Sequence, residues 1–307
     1  MMNIEGEMAK VEISAISGKL DSRLSRVSDY FCLIKPEVTF LVLIATGLGS
    51  YMAAQGALSL WTLFHAVLGT ALVAGGTATL NHYIERDLDG RMRRTAQRPL
   101  PSGRLKPREV LNFGIALSVL GGAYLAVFVN LLTSVIGLLT LLSYLLVYTP
   151  LKRKTSWATF IGAFPGAAPV LMGWTAVRNS AGLEAWVLYA LLFAWQFPHF
   201  LAIAWMYKED YARAGMLMLP QRDPDGNRAF LEILATSLVL IPLSVTPTML
   251  GMTGSLYFCA ALLLSLSLLF FALRASVLRS RLQARVLLHV TVIYLPLIYA
   301  MMVIDKA

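Results

Sequence analysis

Nine stretches of roughly twenty residues run through this chain with almost no charge inside them, and no other feature limits the fold as much. About twenty apolar residues let a helix cross the hydrocarbon core of a bilayer. Inside that core each backbone N–H and C=O must find its partner within the protein, which selects helices. Spans are expected at about 36–54, 61–80, 111–129, 131–149, 157–176, 185–206, 230–250, 255–273 and 285–304. The fold class is therefore all-α: a polytopic membrane protein built as a bundle of nine transmembrane helices. Composition agrees, with 57% hydrophobic and 14% charged residues, where soluble domains carry ~45–50% and ~25%. The least helix-like places are Asn130, the only break between the third and fourth spans, and the fifth span with Gly162, Pro165, Gly166 and Pro169.

The basic residues orient the bundle. Of 26 Lys and Arg, 24 fall before the first span or in alternate loops, leaving Arg178 and Lys306 on the other side. That asymmetry follows the positive-inside rule, with the N-terminus cytoplasmic and the C-terminus periplasmic. The net charge of +9 is then a matter of topology, its partner the lipid bilayer and not nucleic acid. The first 35 residues hold five acidic and five basic side chains, unlike an acid-poor presequence or an apolar signal peptide. A bacterial inner membrane is the expected location. Residues 1–34 read as a cytoplasmic tail and 35–307 as a single transmembrane domain. Cys32 and Cys259 lie far apart with no partnering motif, so no disulfide framework or metal knuckle is expected.

Chemistry concentrates in "NHYIERDLDGRMRRTAQRPLPSGR", residues 81–104. If the second helix continues through residue 89, Asn81, Glu85 and Asp89 sit at i, i+4 and i+8 and drift only ~80° around its axis. Asp87 points away and is expected to pair with Arg91, four residues on. Two carboxylates and an amide on one face repel unless a cation lies among them. Oxygen-only ligands favour a hard ion such as Mg²⁺, which often bridges carboxylates to a substrate phosphate. Arg93, Arg94 and Arg98 follow directly and can close around phosphate oxygens.

An opposing half-site is expected on the same side of the membrane in "WQFPHFLAIAWMYKEDYARAG", residues 195–215. Asp210 is the preferred opposing ligand and Glu209 its rival. His199 is a lone imidazole deep in the sixth span, and polar groups in lipid are costly enough to favour a function. On a straight helix it would lie within ~20° of the Asp210 face and ~16 Å deeper, with Pro198 able to kink the path.

These motifs, with "YTPLKRKTSWATFIGAFPGAAPVLMGW" between them, resemble the UbiA-type intramembrane prenyltransferases, and within them the haem-farnesylating branch. The similarity runs from about Lys35 to the last span. It implies a nine-helix UbiA-type bundle acting on farnesyl diphosphate and haem b. Mg²⁺ would be held by Asn81, Glu85, Asp89 and Asp210, and diphosphate by a subset of Lys35, Arg94, Arg98, Lys152 and Lys154. Haem would approach His199 and Trp195; His65 and His289 are rival imidazoles that share no helix with the second motif. A haem A synthase or an oxidase assembly factor is the implied partner. Quinone-type relatives usually carry Asp where His82 and Glu85 stand here, and an Asp pair where this chain has Glu209 and Asp210. Two other readings compete: prenyl transfer to an aromatic acid or quinone precursor, and a small-molecule transporter. A transporter would place its ionisable groups near the membrane midplane, whereas these acids sit at helix ends.

Overall fold

A computed structural model describes residues 25–217 and 219–307. Most of the expected N-terminal tail therefore lies outside the described residues. Among the described residues, nine helices are long and apolar enough to span a membrane: α1 Pro36–Ala53, α2 Leu60–Asp89, α3 Pro107–Phe128, α4 Leu131–Leu151, α5 Ala158–Arg178, α6 Leu183–Met206, α7 Asn227–Met249, α8 Ser255–Leu278 and α9 Arg281–Ile304. Shorter helices cover 25–33, Lys208–Arg213 and Leu219–Arg222. Extended pairing among the described residues is limited to an isolated bridge between Thr253 and Lys306.

Each expected span has its helix, and the largest departure is α2, at 30 residues. The apolar run reports only the part inside lipid. The chain then continues through helix-tolerant residues until Gly90 caps the helix, carrying the acidic ladder out on a rigid rod ~45 Å long. Asn130 ends one helix and starts the next: its Oδ1 accepts the N–H of Thr133, and its Nδ2 donates to the Thr175 carbonyl. Near the end of α4, Ser143–Tyr148 widens into a π-helical turn, with the Thr149 N–H reaching the Tyr144 carbonyl just before Pro150. Such turns often mark functional sites, and this one positions Tyr148, Thr149 and Lys152 beside α2.

Helices α5 and α6 are the most enclosed, with two thirds of their spans buried. Around them α1 packs on α5, α2 on α3, and α7 and α9 on α6. Outward-facing Val119, Leu263 and Val277 remain exposed, as expected where lipid is the solvent. With no hydrophobic gain between helices in lipid, close backbone approach provides the packing. At the α1–α5 crossing, a Cβ on Gly49 would overlap the Val170 carbonyl oxygen, and one on Gly173 would overlap that of Thr46. Backbone cannot swing aside as a side chain can. Gly173→Val is expected to lower stability by ~1–3 kcal/mol or more through overpacking. Thermal unfolding in detergent checks this; an unchanged midpoint would show that the crossing tolerates separation.

Candidate functional site

The last turns of α2 bring Asn81, Glu85 and Asp89 onto one buried face, at 1%, 5% and 1% exposure. Each has a basic partner from a different part of the chain. Lys35 Nζ donates to Asn81 Oδ1 at 2.8 Å, Lys152 Nζ to Glu85 Oε1 at 2.9 Å, and Arg98 Nη1 to Asp89 Oδ2 at 2.7 Å. Asn81 Nδ2 also donates to Thr149 Oγ1 at 3.3 Å. Local geometry explains these placements. Lys35 adopts a left-handed conformation (φ 49°) between the 25–33 helix and the proline that opens α1. Arg98 is returned to α2 by the following loop, where Thr95 Oγ1 donates to the Asp89 carbonyl at 2.8 Å and the Arg98 N–H to the Thr95 carbonyl. Lys152 follows the π-helical turn, lies over the Tyr148 ring at 4.5 Å, and accepts at its carbonyl the N–H of Leu217.

The balance of charge here is positive, with three cations facing two carboxylates. Burial, with the neighbouring Arg98 and Lys152, lowers the pKa of the Lys35 ammonium to about 8 against the opposing pull of Glu85 and Asp89. Burial works against charge on Lys152 too, yet Tyr148, Glu85 and Tyr144 hold its pKa well above the ordinary lysine value. A polyanion entering between these cations would relieve their repulsion.

His82 lies beside the ladder, 1% exposed, with neither ring nitrogen hydrogen-bonded; Nδ1 stops 3.9 Å from Asp89 Oδ2. Asp87 is exposed and outside the ladder, as its phase predicts. Its partner is Arg86, at 3.9 Å, and not Arg91, because α2 ends at Asp89 before the i,i+4 relation can form.

The second motif meets the first. Leu88 and Met92 pack with Ala204, Ala214 and Met216, and Arg94 lies over the Tyr207 and Tyr211 rings. The sixth helix does not continue straight to Asp210, however. It stops at Met206, Tyr207 leaves the helical region (φ −110°, ψ 22°), and a separate helix Lys208–Arg213 begins. The straight-helix offset between His199 and Asp210 therefore does not apply. Asp210 is buried and paired with Arg213, while Glu209 is exposed. Lys154 is exposed beside Lys152.

Among the described residues, no group of three His, Cys, Asp or Glu side chains converges tightly enough to hold a metal. Mg²⁺ keeps several waters and binds through one or two carboxylates plus substrate phosphates. Glu85 and Asp89, with the Asn81 amide, form an oxygen donor set of that type.

Deeper in α6, His199 Nδ1 lies 2.9 Å from Thr291 Oγ1 on α9, and the same hydroxyl donates to the Leu288 carbonyl at 2.7 Å. A hydroxyl has one proton to give. Thr291 therefore accepts from His199 Nδ1–H, and the Nε2 lone pair is left available. Trp195 stacks on the imidazole at 4.7 Å and donates its indole N–H to the Thr291 carbonyl at 2.9 Å. The rivals are placed differently. His65 bonds Tyr124 at 2.6 Å, stacks against Phe128, and lies near the opposite end of α2 from the ladder; His289 is exposed on α9. Thr149, Tyr148 and Thr291 carried no spacing signal, since each matters only through a neighbour distant in sequence.

The model of the UbiA prenyltransferase family matches residues 42–295. A protoheme IX farnesyltransferase of Solibacter usitatus is 48% identical, covering 91% of this chain and 98% of the relative. One of Koribacter versatilis is 44% identical over 92% and 94%. Among solved structures, one from work on digeranylgeranylglyceryl phosphate synthase in membranes superposes with a TM-score of 0.74 at 16% identity, covering 92% of this chain and 98% of that one. A UbiA homologue from Archaeoglobus fulgidus, bound to DMAPP and Mg²⁺, gives 0.61 at 17% identity, covering 89% and 99%. At such identities the structural matches speak for the fold.

Proposed function

The chain belongs to the UbiA prenyltransferase family, and we propose that it transfers the farnesyl group of farnesyl diphosphate to a vinyl group of haem b, making haem O and releasing diphosphate. The observation that carries the reading is the buried α2 face, where an acidic ladder and the cations Lys35, Lys152 and Arg98 form a net positive seat. Its curated relatives at 44–48% identity are farnesyltransferases of protoheme IX.

Lys35, Arg98 and Lys152 grip the diphosphate oxygens, with Arg94 and Lys154 at the rim. Asn81, Glu85 and Asp89, with Asp210 opposing, would hold Mg²⁺, which when bound would neutralise the charge that develops on the leaving diphosphate. The allylic C–O bond breaks with its electron pair on the diphosphate, and the vinyl group supplies the pair for the new C–C bond. Water then adds to the resulting cation and loses a proton, leaving a hydroxyfarnesylethyl substituent. His199 Nε2 ligates or orients the iron porphyrin, and Trp195 backs the imidazole. The first 34 residues form a cytoplasmic tail and the remainder one domain, in a bacterial inner membrane with the C-terminus periplasmic. Haem O passes to a haem A synthase or to oxidase assembly.

Pigments extracted from membranes with and without this protein test the reading. A farnesylated haem that requires both the protein and Mg²⁺ is expected. Unmodified haem alongside a prenylated aromatic acid or quinone precursor would overturn it.

A further inference from the structure

We infer that the cleft between the two acidic motifs is the seat of the haem propionates, an inference that rests on the proposed haem substrate. The cleft encloses about 520 Å³ at the end of α6. Arg93 and Arg94 reach it from the loop after α2, Arg213 from the short helix, and Arg279 and Arg281 from the turn between α8 and α9. Among the described residues, Glu209 and Asp210 are the carboxylates lining it, and Asp210 is already paired with Arg213.

Arg279 is engaged in holding the turn, through the Ser276 and Asp225 carbonyls and Asn227 Oδ1. Arg94 rests on the Tyr207 and Tyr211 rings. Arg93 and Arg281 have no hydrogen bond or ion pair to another described residue, and both are exposed to the cleft. This is a second anion site. None of Lys35, Arg98 and Lys152 lines it, so it adjoins the diphosphate seat along Arg94 and Asp210, while Arg279 and Arg281 belong to the cleft alone. Guanidinium groups match carboxylates in a planar, bidentate fashion.

The position of the cleft points to the carboxylates of a ligand that also touches His199. Trp205 forms part of its wall, with its indole N–H on the Arg279 carbonyl at 3.2 Å. Trp205 follows His199 by six residues on α6, an axial rise of ~9 Å. On the facing helix α9, Thr291 holds His199 while Arg281 opens the helix at the cleft. The seam between α6 and α9 thus leads from an imidazole with a free lone pair to a basic cleft. A flat apolar macrocycle with two carboxylates on one edge has matching parts in the same order. Anchoring that edge decides which side of the ring faces the prenyl donor.

The test is a Soret titration of the purified protein with haem b and with haem b dimethyl ester, whose propionates carry no charge. Wild-type protein should bind haem b at least tenfold more tightly than the ester. Arg281→Glu should erase that preference while leaving the Soret position and the KM for farnesyl diphosphate unchanged. Equal binding of acid and ester by the wild type would overturn the propionate seat even if Arg281→Glu failed to fold. A rise in the KM for farnesyl diphosphate in that variant would overturn it too, by assigning the cleft to the donor. If haem b is farnesylated but the ester binds equally, only this seat is wrong; if haem b neither binds nor reacts, the haem reading fails with it.

Discussion

Asp89→Asn is expected to give a folded membrane protein whose turnover falls by about a thousandfold or more, with Glu85→Gln close behind. The fold should survive because Asn retains an oxygen for Arg98 Nη1, now 2.7 Å from Asp89 Oδ2, and for nothing larger than the atom it replaces. The chemistry should not survive. A carboxylate that helps hold the metal contributes several kcal/mol of charge stabilisation in the transition state, and each ~1.4 kcal/mol is a factor of ten in rate. Asp87→Asn is the internal control: it is exposed, faces away from the ladder and pairs only loosely with Arg86 at 3.9 Å. Steady-state rates across a Mg²⁺ series, with elution and circular dichroism in detergent to verify the fold, make the comparison. Full activity of Asp89→Asn without added Mg²⁺ would remove the metal from the ladder.

His199→Ala carries the second large effect. Purified with haem b, this variant should show a shifted Soret band and a rate lowered by ~100-fold, since misplacing a reacting group by about an ångström can have that effect. Imidazole is a natural iron ligand, and here Thr291 accepts a hydrogen bond from Nδ1–H, since its own proton goes to the Leu288 carbonyl, which leaves the Nε2 lone pair open. Thr291→Val should be milder, in the ~10–100-fold range typical of groups that orient a ligating histidine. An unshifted Soret band and normal product formation in His199→Ala would make the residue structural.

Helical phase places the acidic ladder correctly and mispairs Asp87. Asn81, Glu85 and Asp89 could be placed on one face because helical phase is a local property and α2 does run unbroken to Asp89. Asp87 was assigned to Arg91 by the same rule, and failed because the helix ended two residues short of the partner. Asp210 was placed on a straight continuation of α6, yet the backbone turns at Tyr207. Phase holds inside a helix; helix ends depend on what packs against them. Here the segment after Tyr207 is held against Leu88 and Met92 of the first motif.

Sequence by itself determined the nine membrane-length helices found among the described residues, their approximate extents and the common face of the acidic ladder. Lipid accepts only internally bonded apolar helices of a set length, and four-residue spacing repeats nearly one turn, so both follow from local order along the chain. Only the tertiary structure decided which cation meets which acid. Lys35 reaches Asn81 across 46 residues and Lys152 reaches Glu85 across 67. It also decided that Thr291, 92 residues away, sets the proton on His199. Those choices come from helices pressed together at Gly49 and Gly173, from a π-helical turn before Pro150 and from a left-handed Lys35. Each is a through-space contact, and no one-dimensional periodicity encodes the distance between two helices.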